Sequence, residues 1–144
     1  MMSRLTIDQM LENARADLSR LYVYDLPSAL ARGAILVDIR PAAQRVREGS
    51  LPGALVIERN VLEWRLDPTS SARLSLAVDH DVEWIIFCSE GYTSSLAAAS
   101  LQQLGLHRAT DLIGGYQALK SAGLLTVAVS APHFAREVNA LASL

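Results

Sequence analysis

The chain has 144 residues, of which 51% are hydrophobic and 19% are charged, and its formal net charge is -2 at pH 7. This length and apolar content predict one domain with its own core over residues 1–144. The slight negative charge argues against a nucleic-acid partner, and the lack of an apolar run of about 20 residues argues against a membrane span, so we expect a cytoplasmic protein.

The composition also limits the chemistry available to the chain. Its single cysteine, Cys88, cannot form an intramolecular disulfide or a two-cysteine redox pair. The three histidines, His80, His107 and His133, lack the spacing of metal ligands, so we expect no metal and no cofactor. Any group carried by Cys88 would therefore have to leave to another molecule.

The first segments predict a helix, a strand and a second helix. "TIDQ", beginning at Thr6, has the pattern of a capping box, and apolar residues at helical spacing predict an amphipathic helix over 6–18. "LYVYD" predicts a short strand over 21–25. "LPSALARG" then predicts a helix with Pro27 in its first turn and Gly33 after its end.

The middle of the chain continues this alternation. "AILVDIR" over 34–40 is apolar on both faces until Asp38, which is typical of a strand inside a parallel sheet. A short helix over 42–47, the strand "ALVI" over 54–57 and a helical segment over 58–68 are predicted next. The polar stretch "TSSARLSLAVDHDVE" is predicted to be an irregular surface connection.

The second half predicts two more strands, "EWIIFC" and "RATDLI". Helices are predicted for "SSLAAASLQQLG", beginning at Ser94, for "GYQALKSAG" and for the terminal residues 130–144. The pattern as a whole predicts an α/β fold, with a central, mainly parallel β-sheet and helices on both faces. The helices over 6–18 and 130–144 are expected to cover the core.

Cys88 is predicted to lie where such folds bind ligands, just beyond the carboxyl end of a strand. Residues 89–93 separate it from the predicted helix start, and Gly91 permits a tight turn there. A curled loop at a helix N-terminus would turn backbone N–H groups toward a thiolate or a bound anion. The alternative is that Cys88 is a small buried apolar residue without chemistry.

Four segments occur in the order found in the rhodanese family of sulfurtransferases: "LVDIR", "GSLPGAL", "IIFCSEGYTSS" and "LIGGYQAL". The chain resembles this family from Tyr22 to Leu124, and the resemblance implies a rhodanese-like fold. The motif positions of the family fall on Asp38 and Arg40, on Gly49, Pro52, Gly53 and Ala54, on Cys88, and on Gly114 and Gly115.

The resemblance implies that Cys88 takes a sulfane sulfur from a small donor such as thiosulfate or a persulfide. Cys88 would carry this sulfur as a persulfide and pass it to an external thiol or to cyanide. It also implies a substrate-binding loop made of Ser89, Glu90, Gly91, Tyr92, Thr93 and Ser94. Asp38 and Arg40 are interpreted as an ion pair that braces the strand end beside this loop.

The loop departs from the family pattern in its charge. Many small members carry arginines inside it, whereas this chain has Ser89 and Thr93 at those positions and adds Glu90. A carboxylate there would oppose the approach of thiosulfate by about 1 kcal/mol at a few ångströms in water. We therefore expect basic residues elsewhere at the same edge to compensate: Arg40, Arg59 and Arg65.

Two other functions remain open at this point. A protein-interaction or redox-sensing module would use the loop tip, where Glu90 and Tyr92 suit contacts with a protein partner. A cysteine phosphatase would need an arginine six positions after Cys88 to stabilise the transition state, and this chain has Ser94 there.

Overall fold

The computed structural model describes residues 4–129, so the helix predicted over 130–144 lies outside the described residues. Four strands form one sheet: β1 (Ile35–Asp38), β2 (Leu55–Val56), β3 (Trp84–Phe87) and β4 (Thr110–Asp111). Their order is β2-β1-β3-β4, and every pairing is parallel. The predicted α/β fold with a parallel sheet is confirmed.

The helices of the described residues are α1 (Ile7–Ala16), α2 (Leu26–Ala31), α3 (Ala42–Glu48), α4 (Leu62–Leu66), α5 (Thr93–Gln103) and α6 (Gly115–Ser121). Short 3-10 helices cover Val23–Asp25 and Arg59–Val61. None of these helices is long and apolar enough to cross a membrane.

Alternate residues of the central strands build the core on both faces of the sheet, as the period of two in a strand requires. Ile35 and Val37 pack in one cluster with apolar residues of α4 and α5. Leu36 packs in the other cluster with residues of α2 and α6. Burial on both faces explains why β1 and β3 are continuously apolar.

The register of the central strands shows which residues lie at the carboxyl edge of the sheet. Asp38 pairs with Val56 on one side and with Phe87 on the other. The next residues, Ile39 and Cys88, therefore lie level with each other at the carboxyl edge.

The prediction of a strand for "LYVYD" is wrong. Leu21 makes only an isolated bridge to Leu112, and the segment then forms a 3-10 turn. The Asp25 carboxylate accepts the backbone N–H of Tyr22 at 3.1 Å, which stabilises the turn locally. Val23 reaches the core from this turn, while the side chains of Tyr22 and Tyr24 remain exposed.

The N-terminal capping box is confirmed, although α1 ends at Ala16 rather than at Leu18. The hydroxyl of Thr6 accepts the N–H of Gln9 at 3.1 Å, and the amide oxygen of Gln9 accepts the N–H of Thr6 at 2.9 Å. The helix packs along α5 and so lies next to the loop that follows β3.

Candidate functional site

Cys88 follows β3 directly, and its side chain is nearly buried at 9% exposure. Its sulfur accepts the backbone N–H of Gly91 at 3.3 Å. Gly91 has a φ of +89°, a left-handed conformation that favours glycine. Because α5 begins at Thr93, one residue earlier than predicted, the loop that curls around the sulfur consists of residues 89–92.

The carbonyl groups of this loop point toward α6. The C=O of Cys88 accepts the N–H of Tyr116 at 2.9 Å, and the C=O of Ser89 accepts the N–H of Gln117 at 3.0 Å. Gly115 makes this approach possible, since a Cβ there would collide with the carbonyl oxygen of Cys88. The glycine pair of the motif therefore serves close backbone packing.

The same contacts fix the direction of the loop amides. In a trans peptide the C=O and the following N–H point in opposite directions. The N–H groups of Ser89 and Glu90 are therefore turned away from α6, and in the described part of the chain neither donates a hydrogen bond.

A second clamp holds the loop from the side of α1. The carbonyl oxygen of Gly91 accepts Nη2 of Arg15 at 2.7 Å and Nη2 of Arg20 at 3.0 Å. This fixes the peptide between Gly91 and Tyr92 and turns the N–H of Tyr92 to the opposite side. The two guanidinium groups therefore bind a carbonyl group of the loop from outside. The loop itself contains no arginine.

Asp111, at the end of β4, holds Arg20 of this clamp in place. Its carboxylate is fully buried and pairs with Arg20 through contacts of 2.7 and 3.1 Å. It also accepts the hydroxyls of Ser94 and Ser95, each at 2.8 Å. One cation and two hydroxyls therefore compensate a buried charge and fix the first turn of α5 beside the loop.

Asp38 and Arg40 form a bidentate ion pair at the end of β1. Nε and Nη2 of Arg40 donate to the two carboxylate oxygens at 3.0 and 2.7 Å, and the guanidinium lies 4.1 Å from the ring centre of Tyr116. Burial opposes the charge of Arg40, but these hydrogen bonds and the attraction to Asp38 outweigh it and raise its pKa. With Nη1 donating to Glu48 at 3.2 Å, the guanidinium is engaged, so the compensation expected from Arg40 is not supported.

Glu48, at the end of α3, links this ion pair to the cysteine loop. Its carboxylate accepts the hydroxyl of Ser89 at 3.0 and 2.9 Å as well as Nη1 of Arg40. Partial burial would raise the pKa of Glu48, but the hydrogen bonds from Ser89 and Arg40 outweigh it and lower this pKa. The hydroxyl of Ser89 is therefore fixed by the carboxylate of Glu48. The same hydroxyl accepts Nε2 of Gln117 at 3.3 Å.

The remaining loop side chains face solvent. Glu90 and Thr93 are exposed, and Tyr92 is 59% exposed with the guanidinium of Arg15 at 5.7 Å from its ring centre. Within the described residues the carboxylate of Glu90 pairs with no cation. The exposed surface of the loop therefore carries a negative side chain.

Among the described residues, neither Arg59 nor Arg65 makes a hydrogen bond or ion pair with the cysteine loop, and the compensation expected from them stays a prediction. Arg59 pairs with Glu63 four residues later, at 2.9 and 3.0 Å. Arg65 donates to the carbonyl oxygen of Ala72 at 2.6 Å. Arg59 is neutralised by a residue of α4, and Arg65 binds the connection that follows α4.

Four charged residues that contact the loop network were not predicted from sequence: Arg15, Arg20, Glu48 and Asp111. For Asp111 a signal existed, because a polar residue near the end of a predicted strand belongs at the carboxyl edge of the sheet. Arg15 and Arg20 carry no such signal, since their partners lie 71 to 91 residues away along the chain.

Comparison with known proteins shows the family of the chain. The model of the rhodanese-like domain family matches residues 23–122. A sulfurtransferase of Allochromatium vinosum is 34% identical over 94 residues, which cover 65% of this chain and 78% of that protein. Arg15 and Arg20 lie before the region that the family model matches.

Solved structures agree in fold. The human single-domain sulfurtransferase TSTD1 is 28% identical, with a TM-score of 0.61 and coverage of 71% of this chain and 95% of that one. A Rhodopseudomonas palustris protein named as a possible tyrosine phosphatase is 30% identical, with a TM-score of 0.73 and coverage of 85% and 96%.

Proposed function

Because the chain belongs to the rhodanese-like domain family, we propose that it is a sulfurtransferase in which Cys88 carries the transferred sulfur as a persulfide. The observation that carries the proposal is the loop around Cys88. Its carbonyl groups are bound by α6 on one side and by Arg15 and Arg20 on the other, which leaves backbone N–H groups without a protein acceptor among the described residues. The relative from Allochromatium vinosum that bears the name sulfurtransferase supports it.

The proposed reaction has two displacement steps. The thiolate of Cys88 attacks the outer sulfur of the donor, and a new S–S bond forms while the bond to the donor's leaving group breaks. With thiosulfate, sulfite leaves with the electron pair. In the second step a thiolate or cyanide attacks the outer sulfur of the persulfide, and the thiolate of Cys88 leaves.

The loop supports these steps through backbone donors rather than through side chains. The outer sulfur of a persulfide is an anion, and the N–H groups of Ser89, Glu90 and Tyr92 are the donors left over by the carbonyl clamps. The N-terminus of α5, a helix of 11 residues, adds its dipole. Such preorganised donors stabilise charge without reorganisation during the reaction.

The side-chain charge of the loop favours a donor with low negative charge. Glu90 is exposed without a cationic partner among the described residues, and Arg15 and Arg20 contact the far side of the loop. Thiosulfate carries two negative charges and would meet this carboxylate. We therefore expect a persulfide donor to load Cys88 faster than thiosulfate does.

Intact-mass spectrometry of the reduced protein tests the proposal. The protein is incubated separately with thiosulfate and with an organic persulfide, and Cys88→Ser is treated in parallel. We expect a gain of one sulfur that cyanide removes as thiocyanate and that the variant lacks. No gain from either donor would instead favour an interaction or redox-sensing module that uses the exposed loop tip.

Phosphate-ester hydrolysis is the weaker candidate, although the Rhodopseudomonas palustris protein carries a phosphatase name. Position 94, where such chemistry needs a guanidinium, holds a serine whose hydroxyl is bonded to Asp111. We expect no hydrolysis of an aryl phosphate. Hydrolysis that disappears in Cys88→Ser would contradict this assignment.

A further inference from the structure

A cleft opens beside the end of β2, between α3 and α4. It has a volume of about 550 Å³, which is within the range of small-molecule sites. Its principal lining residues are Arg45, Ile57, Glu58, Val61, Trp64 and Arg65. We refer to it as the α3–α4 cleft.

The lining of the cleft combines an apolar wall with positive charge. The indole of Trp64 is 61% exposed, an unusual position for the largest apolar side chain, and Val61 is 39% exposed. Arg45 donates to the carbonyl of Arg40, and Arg65 donates to the carbonyl of Ala72. Among the described residues neither guanidinium pairs with a carboxylate.

The charges of the cleft therefore favour an anion. Two guanidinium groups face it against the single carboxylate of Glu58. A guanidinium that already donates to a carbonyl keeps further N–H groups for a carboxylate. A ligand with an apolar body and one negative charge complements both the wall and the charge.

The register of the sheet places one wall of this cleft at the same level of the sheet as the cysteine. Asp38 pairs with Val56 and with Phe87, so Ile57 and Cys88 lie at the same level, two strands apart. Two strand spacings of about 4.8 Å separate their backbones by about 10 Å. Ile57 and Cys88 also belong to the same apolar cluster, so a ligand in the cleft would lie on the cysteine side of the sheet edge.

We propose that the α3–α4 cleft binds the sulfur acceptor, and that this acceptor is an organic thiol with an aromatic or other apolar body and a carboxylate. The inference rests on the proposed function, because it assigns a role in the second transfer step. Cys88 is the only cysteine, so the acceptor thiol must come from outside. Thiosulfate and cyanide have no apolar part that would use the wall of the cleft.

The transfer step balances without a further reactant. The thiolate of the acceptor attacks the outer sulfur of the Cys88 persulfide and forms a new S–S bond. The bond between that sulfur and Sγ breaks, and the electron pair remains on Sγ as the thiolate. The acceptor leaves as its own persulfide.

Binding is tested in Cys88→Ser, which cannot transfer sulfur, with 4-methylbenzoate as an inert analogue of the acceptor. In two-dimensional ¹⁵N NMR the indole N–H of Trp64 is expected to shift, while that of the buried Trp84 stays in place. Arg45→Gln and Arg65→Gln, added separately, should each weaken binding about five- to tenfold, or about 1 to 1.4 kcal/mol. No shift at Trp64 would overturn the proposal.

Arg47→Gln is the matched control, because Arg47 is an exposed arginine of α3 that is not among the residues lining the cleft. Its affinity for 4-methylbenzoate should equal that of the parent protein. An equal loss in Arg47→Gln and Arg45→Gln would show attraction to the general surface charge and would contradict a specific site.

Transfer is tested separately with persulfide-loaded protein and three thiols: 4-(mercaptomethyl)benzoate, its neutral parent phenylmethanethiol, and mercaptoacetate, which lacks the ring. For each thiol, the rate in the parent protein is divided by the rate in Trp64→Ala, and this ratio should be at least about ten for the first thiol and smaller for the other two. Arg47→Gln should react with all three thiols at the parent rates. Equal ratios for the three thiols would overturn the acceptor assignment. A failure to load Cys88 would instead contradict the proposed function, while the NMR result still decides the cleft.

Discussion

Gly115 shapes the cysteine loop through its missing side chain. Its φ is +57°, and a Cβ would collide with the carbonyl oxygen of Cys88 and approach the backbone of Ser89 at 2.9 Å. The backbone of α6 reaches these two carbonyls only because that space is empty. The direction of the loop amides therefore depends on one residue of another element.

Gly115→Ala should slow sulfur loading of Cys88 by more than about tenfold, because displacement of the loop misplaces the donors to the persulfide. Gly123→Ala is the matched control: its φ is +71°, yet nothing lies within 4 Å of its Cβ position. Left-handed strain should cost each variant about 1 to 2 kcal/mol of stability, and Gly115→Ala should lose more than this because its Cβ also collides with backbone atoms. Urea unfolding gives the stability, and mass spectrometry gives the loading rate; equal loading in the two variants would refute the packing role of Gly115.

Glu48 makes a pH-dependent contribution to stability. Its folded-state pKa lies below the ordinary value of 4.5, since the hydrogen bonds from Ser89 and Arg40 outweigh partial burial. The stabilisation is therefore present above pH 4.5 and is lost as the pH falls through the lowered pKa. We expect Glu48→Gln to be less stable than the parent at pH 7, with the difference shrinking toward pH 3.

Urea unfolding of both proteins across this range measures the difference. Glu12→Gln serves as a control, because Glu12 is exposed on α1 and makes no ion pair with another described residue. A difference for Glu48→Gln that stays constant from pH 7 to pH 3 would contradict the assigned role of the Glu48 carboxylate.

At the scale of elements, α1 contributes to the candidate site from outside the region that the family model matches. It packs along α5 and places Arg15 against the loop, where Nε donates to Ser95 and Nη2 to the Gly91 carbonyl. The structure assigns no fully buried residue to α1, and Leu11 and Ala14 are half-buried on this helix, which packs along α5. Its clearest structural contribution is the clamp on the loop.

Arg15→Gln should reduce the rate of sulfur loading about three- to tenfold, because the Gly91 carbonyl loses its shorter charge-assisted hydrogen bond. Arg4→Gln removes an exposed arginine just before α1 and serves as the charge-matched control. The loading rate follows from time-resolved intact mass, and circular dichroism confirms folding. A rate in Arg15→Gln equal to that in Arg4→Gln would remove Arg15 from the clamp.

The elements that sequence predicted well are those with a strong local signal. The strands β1 and β3 are continuous apolar runs, and Cys88 follows the second of them as expected. The segment "LYVYD" failed because a local side-chain cap outweighed β propensity. The clamps on the loop escaped prediction because Arg20 and Asp111 meet only after the chain has folded, 91 residues apart.

At the scale of the whole molecule, charge is distributed unevenly around the cysteine. Arg15 and Arg20 lie on the carbonyl side of the loop, whereas Glu90 is exposed on the loop itself. Arg40 and Arg59 are paired with carboxylates. Arg45 and Arg65 pair with no carboxylate among the described residues, but they line the α3–α4 cleft, so the loop itself carries only the negative side chain of Glu90.

Glu90→Gln should speed loading by thiosulfate about fivefold, since removal of about 1 kcal/mol of repulsion corresponds to that factor. Alkylation of the Cys88 thiolate by neutral iodoacetamide should not change. Asp79→Asn, at an exposed acid of the irregular connection before β3, should leave both rates unchanged. A thiosulfate rate that does not respond to Glu90→Gln would show that the loop charge does not govern donor choice.

The most direct test of the central claim is the intact mass of the reduced protein after incubation with an organic persulfide. The account predicts a gain of one sulfur on Cys88 that cyanide releases as thiocyanate and that is absent in Cys88→Ser. An unchanged mass in the folded parent protein would contradict the claim that Cys88 is a sulfur carrier.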